Sequence, residues 1–314
     1  MKRPHAQLIP PLLALALVLA GCGLGPGSAP TAVKLLVTSG FGARVLFRSG
    51  TPTVVGQETV MSLLIRNATV TTRYAGGFVE SVDGLSGGHE GSQPVDWFYY
   101  VNGVEAPRGA AATNVHPGDH VWWDRHDWSQ TEDVPAVVGS FPEPFLNGIE
   151  GRRLPVRVEC EAVASYPCLT VLERLRAAGV PAAVAAPSSS AGVGTLRVLV
   201  GLWAHVAGDP VAATIAQGPR ASGVYARFGP DGATLDLLGA DGQQLRTLSM
   251  AAGLIAATRH GEEQAPVWVV TGIDEGGLDL AARAFQQRVL EGHFAVAVTD
   301  TATLPLPLQG SPAP

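Results

Sequence analysis

Basic residues are scarce in this sequence of 314 residues, and they form no cluster anywhere along it. With 21 Lys and Arg against 27 Asp and Glu, the formal net charge is −6. This balance argues against a nucleic-acid partner, because such partners require a basic surface. The apolar run near the N-terminus is short for a membrane span, and no other segment is apolar for long enough to span one.

Catalytic motifs are also missing. The sequence has neither a Gly-x-Ser-x-Gly nucleophile turn nor a His-Glu-x-x-His zinc motif. Neighbouring carboxylates, such as Asp124 with Asp127 and Glu262 with Glu263, are typical of solvated loops. We therefore expect a protein that is not an enzyme, although an enzyme that uses isolated carboxylates would leave no such motif.

Cysteine is rare, with three residues in the chain. Cys160 and Cys168 are an even pair separated by a short segment, and in an oxidising compartment we expect them to form a disulfide. Metal binding is the weaker alternative because no histidine is near them in sequence. Redox catalysis is weaker too, because the compact Cys-x-x-Cys spacing is absent.

The remaining cysteine, Cys22, ends an N-terminal segment with the pattern of a bacterial lipoprotein signal. A short basic start precedes an apolar run from Leu8 to Leu19, which has the length of a signal-peptide core. The run ends in Leu19-Ala20-Gly21-Cys22, the pattern of a lipobox whose thiol accepts a diacylglycerol. The alternatives are an ordinary signal peptide with a chance cysteine and a membrane anchor without a tail. We expect residues 1–22 to be this signal, with lipidation at Cys22, and residues 23–31 to be a flexible tether. The mature protein would then be extracytoplasmic and lipid-anchored to a bacterial membrane.

Residues 32–128 combine short strands with one helix. Val33–Thr38 and Arg44–Phe47 flank a glycine-rich turn, and Thr59–Asn67 has the pattern of an amphipathic helix. Asp96–Val101 leads into Asn102-Gly103, which suits the positive φ angles of a type I′ hairpin turn. Further strands are predicted at Val70–Tyr74, Phe78–Val82 and His120–Trp123. This order indicates a β-grasp-like domain.

Four segments in this part of the chain carry a family resemblance. They are Ser39-Gly40-Phe41-Gly42, Tyr74-Ala75-Gly76-Gly77-Phe78-Val79, Asp96-Trp97-Phe98-Tyr99-Tyr100-Val101-Asn102-Gly103 and His116-Pro117-Gly118-Asp119. Together with Gly109-Ala110-Ala111 and the aromatic strand Val121-Trp122-Trp123, this region resembles the transcobalamin C-terminal-like family of bacterial domains (DUF4430). In the animal cobalamin carriers, a domain of this kind closes over a corrinoid that a large helical barrel holds. This sequence contains no such barrel, so the resemblance implies the fold more strongly than a corrinoid ligand.

Aromatic residues are concentrated in the last strands of this domain. On a strand, Trp97 and Tyr99 share one face, while Phe98 and Tyr100 share the other. One face can fill the core, and the other can offer an aromatic surface to a flat or sugar-like ligand or to a partner. The alternative is that every ring belongs to the core. The predicted ligand-binding residues are Trp97, Tyr99, Trp123 and Trp128, with Phe78 and His126 at the rim. A shift of one residue in the strands would replace them with Phe98, Tyr100 and Trp122.

Three histidines, His116, His120 and His126, stand beside Asp119, Asp124 and Asp127. A zinc site requires three or four ligands that converge on one point. Pro117-Gly118 prevents the helix that would align the first two histidines. We therefore predict that these are solvated residues of turns and strand ends, and that they bind no metal.

The second half alternates strands with helices, which predicts an α/β domain with a mixed sheet over residues 154–300. A Pro-rich connector (129–153) precedes it and a Pro-rich tail (301–314) follows. Predicted strands are Leu154–Glu159, Leu196–Val200, Tyr225–Phe228, Thr234–Leu238, Val267–Thr271 and Phe294–Val298. Predicted helices are Leu169–Ala178, one that begins at Asp209-Pro210, and Leu278–Leu290.

Glycines after the strand Val267–Thr271 precede a helix, but they match no nucleotide-binding motif. An ordinary strand-to-helix connection is the favoured interpretation. Thr271 and Asp274 are nevertheless candidates for a polar site at the carboxyl end of a sheet strand.

These patterns predict an α+β protein, for which two functions remain open. One is a lipoprotein that binds a small ligand beside a nutrient transporter, with a corrinoid as the ligand that the resemblance suggests and no other cofactor. The other is an envelope interaction or scaffold module without a small-molecule ligand. Membrane attachment is expected in both cases.

Overall fold

A computed structural model describes residues 32–49, 52–187, 194–260 and 265–310. They form two units, each built on a β-sheet, which confirms the predicted α+β class. The elements of the first unit are β1 (Lys34–Ser39), β2 (Arg44–Ser49), α1 (Val60–Asn67), β3 (Val70–Arg73), β4 (Phe78–Val82), β5 (Leu85–Ser86), β6 (Gly88–Glu90), β7 (Gln93–Val101), β8 (Val104–Glu105) and β9 (His120–Asp127).

The first unit has the strand order of the predicted β-grasp-like domain. Its main sheet runs β2-β1-β9-β7-β6, with β8 paired to β7, and β3, β4 and β5 form a small second sheet. The first and last strands, β1 and β9, are parallel, which joins residues more than 80 positions apart. Helix α1 begins where Thr59 accepts the backbone N–H of Ser62 and Ser62 accepts that of Thr59, a capping box that satisfies two otherwise free donors.

Both faces of the main sheet are covered. One face, with Val37 and Trp123 at its centre, packs against the buried residues Leu63 and Leu64 of α1. The opposite face, with Tyr100 and Trp122, belongs to a core that continues into the second unit. Because the main sheet is covered on both sides, most of its aromatic side chains are buried.

The second unit contains the predicted mixed sheet. Its order is β11-β10-β12-β17-β16-β18-β19, in which the first four strands are parallel and the other pairings are antiparallel. Helices α2 and α5 cover one face, while a sheet of β13, β14 and β15 and the first unit cover the other. The elements are β10 (Val156–Cys160), α2 (Tyr166–Ala177), β11 (Ala182–Ala185), β12 (Leu196–Leu202), α3 (Trp203–Val206), α4 (Pro219–Ser222), β13 (Ala226–Phe228), β14 (Leu235–Leu238), β15 (Gln244–Leu248), β16 (Gly253–Thr258), β17 (Val267–Gly272), α5 (Glu275–Ala284), α6 (Gln287–Leu290), β18 (Ala295–Val298) and β19 (Thr303–Leu306).

The structure corrects three element predictions in this half. The single helix expected over Leu278–Leu290 is interrupted at Phe285, which follows α5 in sequence and whose buried ring contacts those of Phe141 and Trp268. The segment after Asp209 forms a 3-10 turn over Ala212–Gln217 instead of an α-helix. No strand was predicted in the Pro-rich tail, but β19 lies there and pairs with β18 at the edge of the sheet.

The predicted disulfide is confirmed. Cys160 at the end of β10 is bonded to Cys168 in the first turn of α2, with 6.1 Å between their Cα atoms. Both sulfur-bearing side chains are buried in the core beneath α2. The bridge therefore fixes the start of this helix to the end of the strand that precedes it.

Candidate functional site

The rings predicted to form an exposed platform are mostly buried. Trp97 and Trp123 are 5% and 2% exposed because they lie beneath α1. Tyr99 is half-buried on the same face, and its hydroxyl donates to the carbonyl of Arg108 and contacts Thr113 Oγ1 at 2.8 Å. The prediction that Trp97 and Trp123 are exposed was wrong, because α1 covers the face that they share with Tyr99.

The alternative set on the opposite face is buried as well. Tyr100 and Trp122 are 0% exposed, and both rings meet Phe294 of the second unit, with centroid distances of 5.5 and 5.1 Å. Phe98 is half-buried and stacks on His126 at 4.4 Å. A shift in strand parity therefore does not recover an aromatic surface.

Phe78 and Trp128 complete the predicted set. Phe78 is exposed in the small sheet, where its ring meets that of Tyr74 at 6.4 Å. Trp128 is half-buried just beyond the end of β9. Neither residue lines the crevices described below, and nor do Trp97, Tyr99, Trp123 and His126.

The Asp and His residues of β9 were predicted to be solvated, and this was wrong. Asp124 is fully buried and accepts hydrogen bonds from Thr38 Oγ1 at 2.5 Å and from the backbone N–H groups of Phe41 and Gly42 at 2.9 Å each. His126 also contacts Asp124, because its Nδ1 lies 3.0 Å from the carboxylate. The ring of His126 is stacked between Phe41 and Phe98. The carboxylate holds the turn between β1 and β2 against β9, which is a structural role.

The neighbouring cluster is also structural. Asp119 is buried and accepts hydrogen bonds from Asn102 Nδ2 at 2.8 Å and from the backbone N–H of His116 at 2.7 Å. Burial raises the pKa of the Asp119 carboxyl and lowers the pKa of His120 to about 4. Within the described ranges, no three His, Cys, Asp or Glu side chains converge in a way that could hold a metal ion.

The polar site suggested at Thr271 and Asp274 proves to be a helix cap. Asp274 precedes α5, and its carboxylate accepts the backbone N–H groups of Gly277 at 2.7 Å and Ala251 at 2.8 Å. Thr271 is fully buried within β17. The favoured interpretation, an ordinary strand-to-helix connection, agrees with this geometry.

The structure instead places an open crevice at the carboxyl ends of β10 and β12. The chain leaves β10 for α2 on one face of the sheet, and it leaves β12 for α3 on the other face. Adjacent parallel strands whose connections diverge in this way leave a gap, the usual ligand position in open α/β sheets. The gap has a volume of about 390 Å³, within the range of small-molecule sites. Its apolar walls are Leu199, Val200, Val206 and Pro210.

A charged network forms one wall of this crevice. Glu159 is buried and accepts Arg197 Nη2 at 2.7 Å, and the same nitrogen lies 2.7 Å from Asp209 Oδ2. Burial alone would lower the pKa of Arg197, but hydrogen bonds and charge from the two carboxylates outweigh it and raise that pKa above its ordinary value. The guanidinium therefore stays charged and is held between two acids.

An imidazole–carboxylate pair stands at the mouth. His205 Nδ1 lies 2.6 Å from Glu161 Oε2, and about half or more of each side chain is exposed. A second crevice of about 350 Å³ opens on the other side of this pair, between the first turns of α2 and α5. The two crevices share Glu161, Val200, Gly201 and His205, so we treat them together as the switch-point cleft.

Comparison with known families bears on the first unit. Residues 57–127 match the family described as "Domain of unknown function (DUF4430)". This confirms the resemblance predicted from the sequence, and the DUF4430 match extends from just before α1 to the end of β9. It covers less than a quarter of the 314 residues, so the switch-point cleft lies outside it. No curated protein sequence matches the chain. Within the described part of the chain, no helix combines the length and the apolarity that a membrane span requires.

Proposed function

We propose that this protein is a lipid-anchored, extracytoplasmic protein of a bacterial membrane that binds a small ligand in the switch-point cleft. The observation that carries the proposal is the position of the cleft, at the carboxyl ends of two adjacent parallel strands whose connections diverge. The cleft also combines apolar walls with a few charged side chains, the usual composition of ligand sites.

The cleft replaces the aromatic strands as the proposed site. Stacking on a ligand requires an exposed ring face, and the rings of Trp97, Trp122 and Trp123 are covered. By contrast, Glu161 and His205 are partly exposed at an opening with room for a small molecule.

Membrane attachment rests on the lipobox pattern that ends at Cys22 and agrees with the Cys160–Cys168 disulfide, since disulfides persist in oxidising compartments. We expect Cys22→Ser to release the protein from the membrane fraction or to leave its precursor unprocessed. Cell fractionation with immunoblotting measures this, and Cys160→Ser is the control for loss of a different cysteine. Normal processing and membrane retention of Cys22→Ser would contradict the anchoring.

Ligand binding is tested at Gly201, which both crevices share. A Cβ atom at this position would meet only Val206 Cγ2, at an ordinary distance of 3.5 Å, so valine should fill the cleft and preserve β12. A fragment library is screened against residues 23–314 by ligand-observed NMR. We expect fragments that bind the wild type and are lost in Gly201→Val.

Gly310→Val is the matched control, because a Cβ atom at Gly310 meets nothing within 4 Å and the residue lies outside the cleft. If Gly201→Val binds the same fragments as this control and the wild type, the cleft is not the ligand site.

The resemblance of the first unit suggests a second candidate ligand, a corrinoid delivered to a nutrient transporter, which is distinct from the small ligand of the cleft because the cleft lies outside residues 57–127. Corrinoids absorb visible light, so protein purified from its own bacterium and titrated with cobalamin tests this directly. The alternative function is a scaffold module, which is favoured by the burial of the predicted aromatic surface. Absence of any fragment or cobalamin binding would favour that alternative.

A further inference from the structure

The walls of the switch-point cleft are apolar on both sides of its mouth. Leu199, Val206 and Pro210 line the first crevice, and Pro167 and Leu278 line the second. Burial of a ligand's hydrocarbon surface against such walls is favourable because it removes apolar surface from water. The ligand is therefore expected to have an apolar body.

Acidic side chains outnumber basic ones around the same cleft. The acids that line it are Glu159, Glu161, Asp209, Glu275 and Asp279. The groups that face these acids with positive charge are Arg157, Arg197, Arg283 and the imidazole of His205. Two of the acids hold Arg197 between them, so this guanidinium is already neutralised.

Two further arginines lie near these acids, and both are engaged: Arg157 Nε lies 3.5 Å from Oε1 of the buried Glu159. Arg283 makes a long contact of 3.7 Å with Asp279, and its guanidinium carbon lies 5.7 Å from the centre of the Tyr166 ring. Both members of the Asp279–Arg283 pair are partly exposed, and pairs of this kind contribute little. The mouth presents two exposed acids to an entering molecule: Glu275, and Glu161, whose Oε2 also contacts His205 Nδ1 at 2.6 Å.

We propose that the ligand of the switch-point cleft is a small organic cation with an apolar body, such as a primary amine on a ring or a short chain. This inference rests on the proposed function. An ammonium group at the mouth would meet two acids, Glu161 and Glu275, beside the single imidazole of His205, whereas a carboxylate there would meet the same two acids.

The test uses three probes of similar size and different charge: phenethylamine, 2-phenylethanol and 3-phenylpropionate. Each is titrated into residues 23–314 by ligand-observed NMR at low and at high salt. We expect phenethylamine to bind most tightly and to weaken as salt rises, because screening shortens the reach of exposed charges. Glu161→Gln should weaken the amine about threefold to fivefold and leave the alcohol unchanged. Because Glu161 is exposed, this variant is expected to fold, and its thermal melt checks this.

The outcomes separate the two proposals. If 2-phenylethanol or 3-phenylpropionate binds as tightly as the amine and is lost in Gly201→Val, the cleft binds ligands but the cation preference is wrong. If the amine binds best and Glu161→Gln has no effect, the assignment of the charge to this mouth is wrong. If no probe or library fragment depends on Gly201, the proposed function itself fails.

Discussion

Glu143 lies in the connector between the two units, where its side chain is 5% exposed. Its carboxylate accepts the backbone N–H of Asn147 at 2.8 Å and the side-chain amide of the same residue at 2.5 Å. Burial nevertheless raises the pKa of Glu143 from 4.5 to about 7. Because this buried carboxyl ionises near neutrality, the free energy of unfolding depends on pH in that range.

The folded state holds the proton of Glu143 more tightly than the unfolded state does. Its contribution to stability is therefore complete below pH 4.5 and is lost as pH rises through about 7. By pH 8 the loss is roughly 3 kcal/mol, at about 1.4 kcal/mol per pH unit of pKa shift. Glu143→Gln, which does not ionise, should avoid this loss, so its unfolding free energy relative to wild type should rise by that amount between pH 4.5 and 8.

Urea unfolding of both proteins at several pH values measures this difference. His120 has the opposite effect, because its lowered pKa of about 4 removes stability as pH falls from 6.5. Both proteins carry His120, so its effect cancels in the comparison. A difference between the two proteins that does not vary with pH would contradict the assignment.

Two tight turns of the first unit have the same backbone pattern and different surroundings. Asp83 and Gly84 have φ angles of 48° and 83°, and Asn102 and Gly103 have 55° and 74°. A Cβ atom at Gly84 would meet nothing within 4 Å, whereas one at Gly103 would lie 2.7 Å from the carbonyl oxygen of Val137. The second turn therefore requires glycine for both its backbone angle and its close packing.

We expect Gly84→Ala to cost about 1 kcal/mol, from the positive φ angle alone. Gly103→Ala should cost about 2–4 kcal/mol, because the strained angle and the overpacking against Val137 add together. Chemical denaturation of the two variants gives the comparison, with Gly84→Ala as the matched control. Equal losses of unfolding free energy would show that the connector around Val137 shifts to accommodate the added methyl group.

Local signals were sufficient for most elements of the first unit. The Asn102-Gly103 turn, the amphipathic pattern of α1 and the alternation along β7 act over a few residues, and each was predicted from the sequence, whereas the short strands β5 and β6 were not. Strand β16 was missed because all its residues are buried, so it shows no alternation, and because it is poorer in β-branched and aromatic residues than β17, which is equally buried and was predicted. The break at Phe285 was missed because the pattern of apolar residues continues through it.

The site could not be predicted in the same way, since it depends on contacts between distant segments. Glu161, Arg197 and Asp209 lie far apart in sequence, and each looks like an ordinary surface charge until the order of the strands is known. A polar site was predicted at the carboxyl end of a sheet strand. It was placed after β17, at Thr271, whereas the cleft lies after β10. Burial of Trp122 likewise depends on a second unit whose position has no local signal.

At the scale of the whole molecule, the two units share one continuous core. Leu36, Tyr100 and Trp122 of the first unit belong to the same buried cluster as Leu254 and Phe294 of the second. A fragment of residues 32–128 would expose this face to water. We expect the fragment to bind a hydrophobic dye and to associate or aggregate, in contrast to residues 23–314. Size-exclusion chromatography and thermal melting measure this, and a monomeric fragment that melts cooperatively would show that the shared core is dispensable.

Phe294 contacts Phe41, Tyr100 and Trp122, with 5.1 to 5.5 Å between ring centroids. These contacts can form only late in synthesis of the chain. The ribosome synthesises Phe41 long before Phe294. The aromatic face of the first unit therefore stays uncovered until most of the second unit has been synthesised. Pairing of β1 with β9 adds a second long wait, and contacts between such distant residues form slowly. If the protein is exported as we propose, this delay keeps the growing chain unfolded for most of its passage, the state in which a narrow translocation pore accepts it.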